Sequence, residues 1–249
     1  MSNSQLHKRG FMNSDGRIFI ALDKISLRRA IELLRKVHDS PYKKMIAGYK
    51  IHSLLDNARE NVIDKLLDAG SPTVWVDYKL HDTPNTVYER VRSLKADYIT
   101  IHIKGGIEMM RAAMRPDSSK IIGVTELTSL TEKEVKSTSG KKRKTSVLAL
   151  ARLAHKAGLK YITCSPHEVG LLSAHREVEL SGMKFITPGI RMAGEKEIDN
   201  NQKQVGTPEA AFRAGADFIV LGSALTKARD PIAVLAKIKK KMESLNFAT

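Results

Sequence analysis

The stretch SLLDNARENVIDKLLDAGSPTVWVDYK, Ser53–Lys79, sets a helical pattern and a strand pattern back to back. Apolar residues recur at three- and four-residue spacing as far as Leu67, and Ala69-Gly70 with Pro72 just beyond is a helix stop. TVWVDYK then reads as a short strand rich in β-branched and aromatic residues. The same order recurs in both directions. Strand-like runs are RIFIALD from Arg17, MIAGYKI from Met45, TVWVDYK from Thr73, YITIHI from Tyr98, KIIGVTEL from Lys120, YITCS from Tyr161, KFITPG from Lys184 and FIVLGS from Phe218. Segments such as SLRRAIELLRKV lie between them, and the phrases AGLKYI at Ala157 and AGADFI at Ala214 repeat the passage from helix stop to strand. Eight β-then-α units predict a single (β/α)8 TIM barrel over residues 17–244, with a polar tail at 1–16 and a short tail at 245–249. A doubly wound open sheet is the alternative, but the glycine fingerprint it often carries is absent after the first strand.

Composition narrows the function classes. Of 249 residues, 42% are hydrophobic and 28% charged, which is ordinary for a soluble globular chain. The single cysteine, Cys164, excludes an intrachain disulfide and favours a reducing compartment; its apolar strand context makes it an inert core residue. Apolar runs are too short to cross a bilayer, and the first sixteen residues lack the apolar segment of a secretory signal, so a cytoplasmic protein with no membrane partner is expected. The formal charge of +15 would attract nucleic acid. However, the basic clusters Lys141–Lys144 and Lys237–Lys241 have no aromatic neighbours for base stacking, and aromatics make up only 5% of the chain. A solvated basic surface serving an anionic substrate is the simpler reading. No spacing of His, Cys, Asp and Glu has the form of a metal site. The polar stretch TEKEVKSTSGKKRKT, Thr131–Thr145, reads as a mobile loop after strand five, either an active-site lid or an extended surface loop.

In a parallel barrel the active site lies at the C-terminal ends of the strands. Asp23 closes strand one, Lys50 lies near the end of strand two, and Asp77 and Lys79 end strand three. His102 is near the end of strand four, and Thr128 and Ser129 follow strand five. Asp77 and Lys79, two apart, share a face of an extended strand, and Trp75 has the same parity. If that face is the interior, Lys79 joins a polar cluster with Asp77, Lys50 and Asp82. Flanking carboxylates favour its ammonium form, which is both a proton donor and a fixed positive charge where negative charge develops. The same groups would also serve as a salt-bridge network closing the barrel mouth.

DYKLHDTPNTV, Asp77–Val87, resembles the D-x-K-x-x-D-I-P-N-T-V signature of the orotidine 5'-phosphate decarboxylase family. The D-x-K-x-x-D core is shared with keto-gulonate-phosphate decarboxylases and hexulose-phosphate synthases. The continuation P-N-T-V, and Lys50 where those relatives usually carry glutamate, favour the orotidylate branch. FIALD, ITIHIKGG, VTELTSL, ITCSPHEV, ITPGIR and GADFIVLGSALTKARDP extend the similarity over nearly the whole chain from Arg17. The resemblance implies decarboxylation of orotidine 5'-monophosphate to UMP without a metal or organic cofactor, through a catalytic array of Lys50, Asp77, Lys79 and Asp82. Lys79 would protonate C6 as carbon dioxide leaves, with Asp77 beside the departing carboxylate. It further implies a homodimer in which Asp82 and Thr86 enter the neighbouring subunit's site. Asp23 and Lys50 would hold ribose hydroxyls, and Thr128 and Ser129 would approach the pyrimidine. Pro188, Gly189, Arg191 and Gln202 after strand seven, and Gly222 and Ser223 after strand eight, would receive the phosphate.

Three positions depart from that pattern. Ser223 stands where the family usually has the arginine that grips phosphate, and losing a charge-assisted bidentate contact costs about 2–4 kcal/mol. Arg191, Lys203 and Lys227 are candidates to compensate. Thr83 replaces an isoleucine of the carboxylate pocket, and His52 replaces a glycine after Lys50. The leading expectation is an active decarboxylase with altered phosphate recognition. Action on another phosphorylated substrate comes second, and a non-catalytic relative that binds nucleotide or RNA third.

Overall fold

A computed structural model describes residues 16–57, 61–192 and 205–246. Its eight strands are β1 (Ile18–Ala21), β2 (Ile46–Ile51), β3 (Val74–Leu80), β4 (Tyr98–His102), β5 (Lys120–Val124), β6 (Tyr161–Thr163), β7 (Lys184–Ile190) and β8 (Phe218–Leu221). They pair in parallel, in chain order, into a closed barrel. Every strand-like run read from the sequence becomes a strand, and the open sheet is ruled out by the pairing of β1 with β8.

Alternation along the strands divides the apolar residues into two cores. Outward residues such as Ile18, Ile20, Val74, Val76, Ile99, Ile101 and Ile219 pack beneath the helices. Inward residues Phe19, Trp75, Tyr98, Ile122, Ile186 and Val220 fill the barrel. Phe19 meets Trp75 edge-on at 5.2 Å between ring centroids, and Tyr98 at 5.3 Å, while the buried Trp75 indole donates to Thr100 Oγ1. Trp75 therefore packs below the polar strand ends, as its parity predicts, and the interior is a solid aromatic layer. Gly48 makes room for that layer, because a Cβ there would lie 2.1 Å from Thr73 Oγ1 and 3.2 Å from the Phe19 ring.

The repeated Ala-Gly phrases behave as read. The helix Arg143–Ala157 ends at Gly158 (φ +101°) and Pro208–Arg213 is followed by Gly215 (φ +105°), left-handed turns that glycine adopts without steric cost. Other details differ from the sequence reading. The helical pattern before β3 carries two helices, Ser53–Asn57 and Val62–Asp68, the second opened by Asn61, whose side chain accepts from Asp64 N–H at 3.3 Å. Thr131–Thr145 is not a loose loop. Thr131 and Glu134 form a reciprocal capping box that starts the helix Glu132–Ser139, Gly140 (φ +69°) ends it, and Arg143 already begins the next helix. The last helix, Pro231–Asn246, runs past Ser244 into the stretch read as a tail. The tail read at 1–16 lies outside the described residues except for Gly16.

The barrel closes at a reinforced seam. Beyond the β1–β8 ladder, the Arg17 guanidinium donates to the carbonyls of Asp217 (2.9 Å) and Ala216 (2.8 Å), and Ile219 N–H donates to Arg17 O (3.0 Å). The Asp217 carboxylate is itself held by Arg176 at 2.8 Å and by Phe185 N–H at 2.9 Å.

Candidate active site

Three adjacent strands deliver one line of charge to the C-terminal mouth. Lys50 Nζ, at the end of β2, lies 2.9 Å from Asp23 Oδ2 and 3.1 Å from Asp77 Oδ2. Lys79 Nζ approaches the same Asp77 oxygen at 2.9 Å. The order is Asp23–Lys50–Asp77–Lys79, with signs alternating. Lys50 and Asp77 are buried, while 42% of the Asp23 side chain and 36% of the Lys79 side chain remain exposed. Burial alone would lower the pKa of the Lys50 ammonium, but Asp77 and Asp23 outweigh it and hold the group above its ordinary value. Burial would likewise raise Asp77, and Lys50 and Lys79 together pull it below the ordinary carboxylate range. Both groups are therefore charged at neutral pH.

Lys79 reaches Asp77 by a route that strand parity does not describe. Its φ is +51°, left-handed backbone inside β3, and the β3–β4 register slips between Val76 and Leu80. A non-glycine residue held there costs about 1–2 kcal/mol. The two side chains meet because the chain bends at Lys79, not because the strand stays extended.

Asp82 does not join this line. It makes no ion pair with either lysine among the described residues; its Oδ1 accepts from Thr83 N–H at 2.6 Å. His81 through Thr86 are all exposed at the start of the helix Pro84–Leu94, and the Thr83 hydroxyl bonds to the Thr86 hydroxyl at 2.9 Å. Within one chain Thr83 thus faces its own helix turn and not the Lys50–Asp77 pair. His52 is exposed and lies edge-on to Tyr78.

A second polar group, spread over β4 to β6, was not singled out in the sequence. Lys104 Nζ pairs with Glu126 Oε2 at 2.8 Å, and the Ser146 hydroxyl donates to Glu126 Oε1 at 2.7 Å. Arg143 donates to Glu168 Oε1 at 3.0 Å, and Ser165 N–H to Glu168 Oε2 at 2.9 Å. Glu126, Arg143 and Glu168 are buried. The available signal was Glu126, a carboxylate two residues past Val124 in an otherwise apolar run. Its partners are far away in sequence. One member of the Lys141–Lys144 cluster is therefore not a surface charge at all. In the other cluster, Ile238 is buried and Lys241 pairs with Glu209.

Between the two groups stands His102, its ring 5.6 Å from that of His81. Burial, reinforced by His81, Lys79 and Lys104, keeps its pKa below the usual histidine value, which favours the neutral imidazole. Cys164 is buried and its thiol pushed up by burial, in keeping with an inert core residue.

Among the phosphate-end candidates, Pro188 and Gly189 lie in β7. Gly206 returns beside that strand, accepting from Arg191 N–H at 2.9 Å and donating to Gly189 O at 3.1 Å. Gly222 precedes the short helix Ser223–Thr226, which carries Ser223 at its first position, with Lys227 next in the chain. Gln202 and Lys203 lie outside the described residues. Thr128 is half-buried and Ser129 exposed in the loop after β5. A cavity of about 320 Å³ lined by Val37, His38, Lys43, Lys44 and Tyr49 sits at the opposite end of β2 and shares no residue with the charged line. Among the described residues no group of His, Cys, Asp and Glu is arranged to hold a metal ion, and no helix is long and apolar enough to cross a membrane.

A closed parallel barrel with alternating charges at the C-terminal ends of its strands defines a (β/α)8-barrel enzyme. The chain belongs to the orotidine 5'-phosphate decarboxylase / HUMPS family, whose profile matches residues 16–238. The curated orotidine 5'-phosphate decarboxylase of Pseudoalteromonas translucida is 34% identical over 237 residues, covering 91% of this chain and 97% of the relative. That of Dictyoglomus turgidum is 34% identical over 244 residues, covering 92% and 96%. Among solved structures, the orotidine 5'-phosphate decarboxylase of Lactobacillus acidophilus superposes with a TM-score of 0.73 at 30% identity, covering 91% of this chain and 98% of that one.

Proposed function

We propose that the protein decarboxylates orotidine 5'-monophosphate to UMP in pyrimidine biosynthesis. The observation that carries this reading is the single Asp77 oxygen shared by Lys50 and Lys79. Scission of the bond between C6 and the carboxylate releases carbon dioxide and leaves an electron pair on C6. The Lys79 ammonium faces that pair, stabilises it and supplies the proton that completes UMP. Asp77, fixed as a carboxylate, repels the substrate carboxylate and loses that repulsion as neutral carbon dioxide departs. Asp23 carries a buried Oδ1 with no hydrogen-bond partner, an acceptor free for a ribose hydroxyl while Lys50 holds Oδ2. Binding at the phosphate end, remote from C6, contributes to lowering the barrier. The chemistry assigned to these residues needs no metal or organic cofactor.

In this reading Asp82 and Thr86 serve the site of a second subunit in a homodimer. The exposure of His81–Thr86 and the lack of an ion pair from Asp82 to its own Lys79 support that assignment. Thr128 and Ser129 face the pyrimidine, and Pro188, Arg191, Gln202, Gly222 and Ser223 surround the phosphate. A lone buried cysteine suits a cytoplasmic setting.

The test is loss of orotidylate absorbance with purified protein, Lys79→Ala serving as control. Wild-type turnover should fall on the order of 10³-fold in the variant. Absence of turnover by folded wild-type protein would overturn the reading. Ser223, without charge at the phosphate end, favours a second possibility, another phosphorylated substrate. Ser223→Arg separates the two: it should lower KM for orotidine 5'-monophosphate roughly tenfold or more if that nucleotide is the substrate.

A further inference from the structure

The first turn of the helix Arg143–Ala157 enters the barrel mouth on the β5–β6 side. Besides its bond to Glu168, the Arg143 guanidinium donates through NH2 to the carbonyls of Leu127 (3.3 Å) and Leu130. Those two carbonyls bracket Thr128 and Ser129. Glu168 is itself anchored by Ser165 N–H just past β6, so the guanidinium rests on a fixed support. Three residues along the same helix, Ser146 holds Glu126, the residue before Leu127. One helical turn thus grips the β5 loop at both ends, while the loop's own backbone closes a single turn bond, Leu130 N–H to Leu127 O at 3.1 Å. Ser129, at the tip, is exposed.

We propose that Arg143 is a positioning residue for the pyrimidine end of the substrate. It touches no substrate atom; it fixes the Leu127–Leu130 turn so that Thr128 and Ser129 present their hydroxyls to the base in one geometry. The inference rests on the orotidylate reading. It assigns a role to a side chain in a basic run that is otherwise surface. A planar guanidinium spans a carboxylate and two carbonyls at once, which a lysine ammonium on a flexible stem does not.

Arg143→Lys therefore separates support from positioning, since it keeps the charge beside Glu168 and gives up the fork. The experiment compares wild type and Arg143→Lys by thermal unfolding, by kcat and KM for orotidine 5'-monophosphate, and by equilibrium binding of UMP and of ribose 5-phosphate. The base-bearing ligand should bind about tenfold more weakly and ribose 5-phosphate within about twofold of wild type, with KM rising more than kcat falls. Should Arg143→Lys fail to fold, Arg143→Gln/Glu168→Gln removes both charges, keeps one amide–amide bond, and should show the same selective loss. Equal weakening of both ligands, or a lowered unfolding temperature with an unchanged ratio, would mean that Arg143 is a structural strut alone and would overturn the proposal. Wild-type protein that binds neither ligand and turns nothing over would instead bring down the substrate reading beneath it, an outcome visible before any variant is made.

Discussion

The barrel mouth holds two charge networks of similar composition and opposite finish. On β1 to β3, Asp23, Lys50, Asp77 and Lys79 form an open line: Asp23 Oδ1 has no partner, and the Lys79 ammonium is partly exposed on strained backbone. On β4 to β6 every carboxylate oxygen is taken, Glu126 by Lys104 and Ser146, Glu168 by Arg143 and Ser165 N–H. An ion-pair network with an unpaired carboxylate oxygen, a partly exposed ammonium and stored strain is built to receive something. One whose carboxylate oxygens are all paired holds its surroundings in place, even with Arg143 Nε and Ser165 Oγ left without partners. Charge content alone does not tell the two apart.

That contrast can be broken at several points. The largest effect on stability belongs to the closed network: Lys104→Met leaves Glu126 buried without its cation and should cost about 3 kcal/mol in urea denaturation, with little change in turnover of the folded protein. Loss of turnover at unchanged stability would erase the distinction. A smaller effect tests the strain in the open network. Lys79→Gly and Lys79→Ala both remove the ammonium, but glycine accepts a φ of +51° freely, so the glycine variant should be more stable than the alanine variant by about 1 kcal/mol. Equal stability would mean that the bend at Lys79 stores nothing. The smallest effect concerns His102, which feels both networks. Its folded pKa lies below the ordinary 6.5, so as pH falls through that value the unfolded chain takes up a proton that the folded chain resists. Wild type should lose stability in that window, and His102→Gln should flatten this part of the pH profile; an unchanged slope would show that His102 titrates alike in both states.

The barrel was legible because each of its units repeats a local pattern: β-branched run, helical spacing, Ala-Gly stop. The open network was half legible, since Asp23, Lys50 and Asp77 each fall toward the C-terminal part of a strand-like run, where a parallel barrel keeps its site. Parity misdescribed Lys79, because a left-handed residue has no mark in sequence when it is not glycine. Asp82, drawn into the cluster by its nearness in sequence, does not join it within one chain. The closed network was missed for a different reason: Lys104, Glu126, Arg143 and Glu168 come from four separate segments, and only the folded barrel brings them together. The Thr131 to Thr145 stretch was readable after all. Thr131 and Glu134 have capping-box spacing, but the surrounding lysines and serines made the polar character look like looseness.

The seam between β1 and β8 has a consequence for how the protein is made. Arg17 and the carbonyl of Asp217 are separated by 200 residues, and in the folded barrel the edge of β1 away from β2 pairs with β8. At synthesis rates of roughly 5–20 residues per second, that separation corresponds to some ~10–40 s in which β1 has left the ribosome and its final neighbour has not. Throughout that interval the nascent sheet has two unpaired edges, and Phe19 waits for the Phe218 ring that will lie 5.6 Å from it. Chains ending before Phe218 should therefore be strongly dependent on chaperones, and release of the last strand is the event that turns a sticky ribbon into a sealed cylinder.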